Sequence, residues 1–122
     1  MIPQNFFFIR IMGRFVRVSY ADILYVEACK NYTKIVTVDK MHMALTTVQN
    51  VETALPETQF CRLHRSYIVP IDKITSFDQH KVYMAGREFP IGNSYRDALR
   101  RKVTLLDSSY SEPSALRKKQ YS

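Results

Sequence analysis

The chain has 122 residues, 46% of them hydrophobic and 24% charged, which is enough for one domain with its own core and too few for two. Eighteen Lys and Arg against eleven Asp and Glu give a formal charge of +7, which favours polyanionic partners: DNA, RNA or an anionic membrane surface. Cys29 and Cys61 form no CxxC pair, nothing after Met1 reads as a secretory signal, and no apolar run nears the roughly 18 residues that span a bilayer; a cytoplasmic domain with free thiols is expected.

Most of the chain reads as short strands. Residues 6–11 and 14–19 are apolar and β-branched runs around Met12-Gly13, a hairpin pattern in which Val16 and Val18 alternate with Arg17 and Ser19. Ala21-Asp22 then turns the chain into a strand over 23–28. Runs over 33–38 and 41–45 pair across Asp39-Lys40, and runs over 74–78, 81–84 and 87–91 are separated by Gln79-His80 and Ala85-Gly86. Strands at such spacing predict an antiparallel β protein.

Two helices are legible between them. Thr46-x-x-Gln49 is a capping-box pattern, followed by an apolar face at Val48, Val51 and Leu55 and a stop at Pro56. Ser94-x-x-Asp97 opens the second, with Tyr95, Ala98, Leu99, Lys102, Val103 and Leu106 on one face and Arg96, Arg100 and Arg101 on the other. Residues 1–5 read as a short extension, 6–106 as the domain, and 107–122, rich in Ser, Lys and Gln, as a mobile polar tail.

The densest chemistry lies in residues 60–73. Arg62, His64 and Arg65 fall within four positions, followed by Ser66 and Tyr67, with no acid between Glu57 and Asp72. The apolar run from Tyr67 to Ile71 returns the chain to a core. This predicts a loop with donors at its tip and an apolar base. Arg65 suits guanine O6 and N7 or a phosphate, and His64 can donate to either.

Two other segments share this character, with donors and no nearby acid. In residues 29–34, Lys30 and Lys34 are placed to neutralise phosphates, and Asn31 carries an amide able to read adenine. In residues 91–96, the start of the last helix offers unpaired backbone N–H groups, with Asn93 and Arg96 alongside. Each segment alone also reads as an ordinary polar turn or a plain helix cap; their conjunction on one small basic domain is what points to nucleic acid.

Catalysis has no comparable support. Cys61 and His64 lack an orienting carboxylate and an oxyanion-type turn. Cys29, Cys61 and His64 lack zinc-ligand spacing, and the three glycines form no phosphate-cradling loop. No cofactor is implied. Phe6, Phe7 and Phe8 suggest a stacking platform for single strands, but at most alternate ones share a face and no basic residue lies among them before Arg10, so core packing is the better use. The sequence also lacks helix-turn-helix, zipper and finger patterns, so duplex binding would fall to loops on a β scaffold.

At this point the residues resemble a known family. Residues 15–18 followed by Ala21-Asp22-Ile23-Leu24-Tyr25-Val26-Glu27-Ala28, then Asn31-Tyr32, the segment from Phe60 to Val69, and Pro90 to Arg96 look like the successive motifs of LytTR domains, the DNA-binding output domains of many bacterial response regulators. The resemblance runs from about Phe6 to Val103. It implies an elongated, mainly β stack of small antiparallel sheets with a short mid-chain helix and a C-terminal helix.

It further implies loops inserted into successive major grooves, double-stranded DNA in direct repeats as partner and a dimer formed on DNA. The chain is then either the output half of a longer parent with a receiver domain, the favoured reading, or a stand-alone regulator of the same family. Carried over by position, the reading loops are Lys30 to Lys34, Arg62 to Ser66 and Gly92 to Arg96; the base-reading candidates are Asn31, His64, Arg65 and Asn93. The phosphate-binding candidates are Lys30, Tyr32, Lys34, Arg62, Ser66, Tyr67, Ser94, Arg96 and Arg100. Asn93 stands where many relatives carry Arg, and its shorter amide prefers adenine. The expected function is sequence-specific duplex binding in transcription regulation, with no membrane and no enzyme activity. The alternative is a module whose basic loops dock an acidic protein.

Overall fold

The computed structural model describes residues 4–106. The tail expected over 107–122 and the start of the extension expected over 1–5 lie outside the described residues. Ten strands form three antiparallel sheets. Strands β1 (Phe6–Ile11) and β2 (Arg14–Ser19) make a hairpin in register from Phe6↔Ser19 to Ile11↔Arg14. Its two-residue turn puts Met12 at φ 51° and Gly13 at φ 82°, both left-handed, the geometry that matches the twist of paired strands.

The central sheet has five strands in the order β5-β4-β3-β7-β6. Strand β3 (Ile23–Cys29) pairs with β4 (Tyr32–Thr37), which pairs with β5 (Met41–Ala44). On its other side β3 meets β7 (Tyr67–Pro70), itself in a hairpin with β6 (Phe60–His64). The segment read as a donor-bearing loop is therefore two strands with only Arg65 and Ser66 between them. The physical reason is that both faces of the central sheet are covered, so its inner strands carry apolar residues at adjacent positions instead of alternating.

Adjacent residues indeed enter different cores. Phe60, Ile68 and Val26 join Val18, Ile23, Ile35, Val48, Val51 and Leu55 on one face. Cys61, Val69 and Tyr25 join Leu63, Val82, Met84, Phe89 and Leu99 on the other. Each fully buried Ile, Leu or Phe contributes about 1.5–3 kcal/mol, so these two cores lock the strand register.

The first core is closed by the β1–β2 hairpin and helix α1 (Val48–Ala54). The cap of α1 is Thr47, whose hydroxyl accepts from Asn50 N–H at 3.0 Å, not the Thr46–Gln49 box read from the sequence. Thr46 is held back in the connection because its carbonyl accepts from the buried Thr33 hydroxyl at 2.8 Å.

The second core is closed by β8 (Ser76–Phe77), β9 (Lys81–Met84) and β10 (Arg87–Pro90) together with α2 (Arg96–Lys102). Two expectations are corrected here. Ser94 makes no helix cap: Asn93–Tyr95 form a single 3-10 turn, and α2 starts at Arg96 without a side-chain cap. The helix then stops at Lys102, leaving Leu106 fully exposed rather than on a buried face, because only Leu99 of the helix reaches the core.

Candidate nucleic-acid interface

The antiparallel order places two tight turns side by side. Strand β3 ends at Cys29 where β7 begins, as Glu27 pairs with Tyr67, so the turns Lys30–Asn31 and Arg65–Ser66 sit at the same end of the central sheet. The Ala28 N–H donates to the Ser66 carbonyl at 2.9 Å and ties them together. A third segment joins from the other core, where the Gly92 N–H donates to the Leu63 carbonyl at 2.8 Å. Gly92 lies against His64: a Cβ there would stand 3.7 Å from the His64 ring and 3.0 Å from that of Tyr95. The three segments singled out in the sequence thus form one contiguous end of the molecule.

The side chains within this end divide by what they touch. Lys30, Asn31, Tyr32, Arg65, Asn93 and Ser94 are exposed. Lys30 holds φ 54°, a left-handed value uncommon for a residue with a side chain. Neither Arg65 nor Asn93 has a side-chain hydrogen-bond partner among the described residues.

His64 is oriented by its own turn. The Ser66 N–H donates to His64 Nδ1 at 3.1 Å, and the ring lies 5.8 Å from that of Tyr67. A neutral ring that accepts at Nδ1 carries its hydrogen on Nε2. Nε2 then presents a donor, suited to guanine O6 or N7, thymine O4 or a phosphate.

Arg62 plays a different part. Its side chain is 15% exposed; Nε donates to the His64 carbonyl at 2.8 Å and Nη2 to the Arg65 carbonyl at 2.6 Å. Nη1 pairs with Glu52 of α1 at 2.7 Å. All three nitrogens are engaged within the protein, so the guanidinium braces the turn from behind.

The sequence reading of donors without nearby acids is corrected at two points. Glu52 comes in from α1 to Arg62. Glu27, on β3, sits between Lys34 and Tyr67, with Lys34 Nζ at 3.2 Å and the Tyr67 hydroxyl donating at 3.3 Å. The hydrogen bond to Glu27 holds the Lys34 ammonium above the ordinary lysine value, and burial followed by the same carboxylate pushes the Tyr67 phenol up. Glu52 was missed because it lies on another element, and Glu27 because it falls just outside its segment, although pairing across the Lys30–Asn31 turn sets it beside Lys34.

Arg96 and Arg100 stand apart from the three tips. Arg96 Nη2 lies 3.3 Å from His80 Nδ1 in the β8–β9 turn, and Arg96 Nε is buried without a partner. Arg100 is exposed and lines a cleft with Phe77, Asp78 and Gln79.

Comparison with known proteins places the fold in a family. The family profile described as "LytTr DNA-binding domain" matches residues 13–104. The Sensory transduction protein LytT of Bacillus anthracis is 27% identical over 96 residues, a match covering 74% of this chain and 39% of that protein. The chain therefore spans well under half the length of this curated relative. A solved LytTr DNA-binding domain from Bacillus cereus shares the fold with a TM-score of 0.68 at 22% identity, over 82% of this chain and 97% of the other. With three sheets, two short helices and a profile match across most of its length, the chain belongs to the LytTR DNA-binding domain family.

Proposed function

We propose that this domain reads duplex DNA through the clustered tips at Lys30–Asn31, His64–Ser66 and Gly92–Ser94, inserted into successive major grooves. The observation that carries this reading is the convergence of exposed donors from three segments onto one end, held by the Ala28–Ser66 and Gly92–Leu63 backbone bonds. Arg65, His64, Asn31 and Asn93 are the base readers. Lys30, Tyr32, Ser66 and Ser94 supply phosphate contacts at the tips, and Arg96 and Arg100 supply them from the flank. Lys34 and Tyr67 serve through Glu27, which fixes their positions, and Arg62 acts as a brace.

In this reading the domain is the cytoplasmic output half of a response regulator whose receiver domain lies elsewhere in a longer chain, and pairs of domains occupy direct repeats. The readout needs no cofactor. The test is selection of bound duplexes from a random pool at about 0.15 M salt, where specific and backbone binding separate. Enrichment of two short motifs about one helical turn apart is expected. Retention without enrichment would reduce the tips to backbone contacts. No retention would favour the docking of an acidic protein by the same basic loops.

A further inference from the structure

A second surface, on the side of the first core, has no part in the reading above. In the β1–β2 hairpin, Phe7 and Ile9 pack inward on the first core, which turns Phe6, Phe8 and Arg10 outward opposite Ser19, Arg17 and Phe15. Phe8 is 53% exposed and Phe15 66%. The Arg17 guanidinium carbon stands 4.4 Å from the Phe6 ring centre and 5.7 Å from that of Phe8, and that of Arg10 stands 5.6 Å from Phe15. The result is a ladder of guanidinium groups set over aromatic rings. Among the described residues, neither Arg10 nor Arg17 has a carboxylate partner.

We propose that this outer hairpin face docks an acidic segment of a partner protein. Residues 6–19 contain three arginines and no Asp, Glu or Lys. Cation–π contact with the rings restrains each guanidinium, and its fork of donors fits a carboxylate. Beside the ladder, a cleft of about 300 Å³ lined by Phe8, Arg10, Leu45, Thr46 and Asn50 offers a seat for an apolar side chain. Leu45, at its rim, is 74% exposed. The occupant thus carries carboxylates next to a bulky apolar residue.

The composition favours protein over nucleic acid. Aromatic residues, Met and Arg are enriched in protein interfaces while Lys is depleted, and Met12 at the hairpin tip is almost wholly exposed. A phosphate backbone gains nothing from exposed Phe8, Phe15 and Met12. A second copy presenting the same face would set three arginines against three.

The probe is a random peptide library panned against the whole chain, with enriched peptides measured individually. Peptides of net negative charge carrying an aromatic or aliphatic residue are expected. Their affinity should fall about tenfold or more in Arg17→Glu, the loss of a charge-assisted contact plus new repulsion. Binding of the duplexes selected for the tips should be unchanged in that variant, which separates the two surfaces. Arg10→Glu tests the same face if Arg17→Glu melts early. The proposal is overturned by no acidic enrichment, by equal binding to both charge-reversed variants, by displacement of the peptides with oligo(dT), or by self-association that Arg17→Glu abolishes.

Discussion

The Arg62 guanidinium holds the Arg65 carbonyl at 2.6 Å, so one arginine shapes the turn from which the other projects. In the proposed reading, Arg62 positions the turn and Arg65 contacts the DNA.

Replacing Arg62 with Ala leaves two turn carbonyls and Glu52 without their partner. Hydrogen bonds to a charged group are worth about 1.5–3 kcal/mol, whereas the exposed Glu52 pair adds under about 1 kcal/mol. A lower melting temperature and weaker binding of all duplexes are expected for Arg62→Ala, with only a small effect for Glu52→Gln. Equal effects from both substitutions in thermal melts would show that the ion pair, not the turn, is what Arg62 sustains.

Arg65→Ala should behave in the opposite way. Its side chain has no hydrogen-bond or ion-pair partner among the described residues, so the melting temperature should hold while discrimination at one base position drops by about 1–3 kcal/mol. Lys30→Ala should weaken preferred and random duplexes alike and flatten the salt dependence. Titrations of both variants against matched and mismatched duplexes at two salt concentrations decide this.

Gly92→Ala tests the packing between the second and third tips. Gly92 has φ −69°, so the backbone tolerates Ala; the obstacle is the Tyr95 ring at 3.0 Å from the new Cβ. Overpacking of about 1 kcal/mol is expected, with the His64 neighbourhood displaced and DNA affinity reduced more than stability. Unchanged chemical shifts at His64 would contradict the coupling.

The two thiols report on opposite regions. Cys61 is 1% exposed, and burial pushes its thiol above the ordinary value, while Cys29 is half-buried next to the Lys30 turn. Iodoacetamide should label Cys29 well before Cys61, and a bound duplex should slow Cys29 labelling. Above the ordinary thiol range the folded state retains the Cys61 proton that the unfolded chain releases, so stability falls as pH rises. That fall should be shallower in Cys61→Ala.

Much of this architecture was legible in the residues. Both strands of the first hairpin read out with their observed bounds, because Met12-Gly13 is a strong turn signal and valines alternate with polar residues. Three tips were recognisable from donors lacking acids in their own segments. Sequence separation hid the rest. Residues 60–70 did not read as paired strands because Cys61, Ile68 and Val69 are buried on two faces at once. Glu27 and Glu52 reach Lys34 and Arg62 only after strand pairing and helix packing, so the brace could not be told from a ligand-contacting arginine. The Ser94 cap failed because the chain makes a 3-10 turn there before α2 begins.

The most direct test of the proposed interface is backbone amide mapping by NMR as the selected duplex is added to the isotope-labelled chain. The largest perturbations are expected at Lys30, Asn31, Arg65, Ser66, Asn93 and Ser94, with Phe8, Phe15 and Arg17 undisturbed. Perturbations centred on the β1–β2 hairpin, with the three tips silent, would contradict the account.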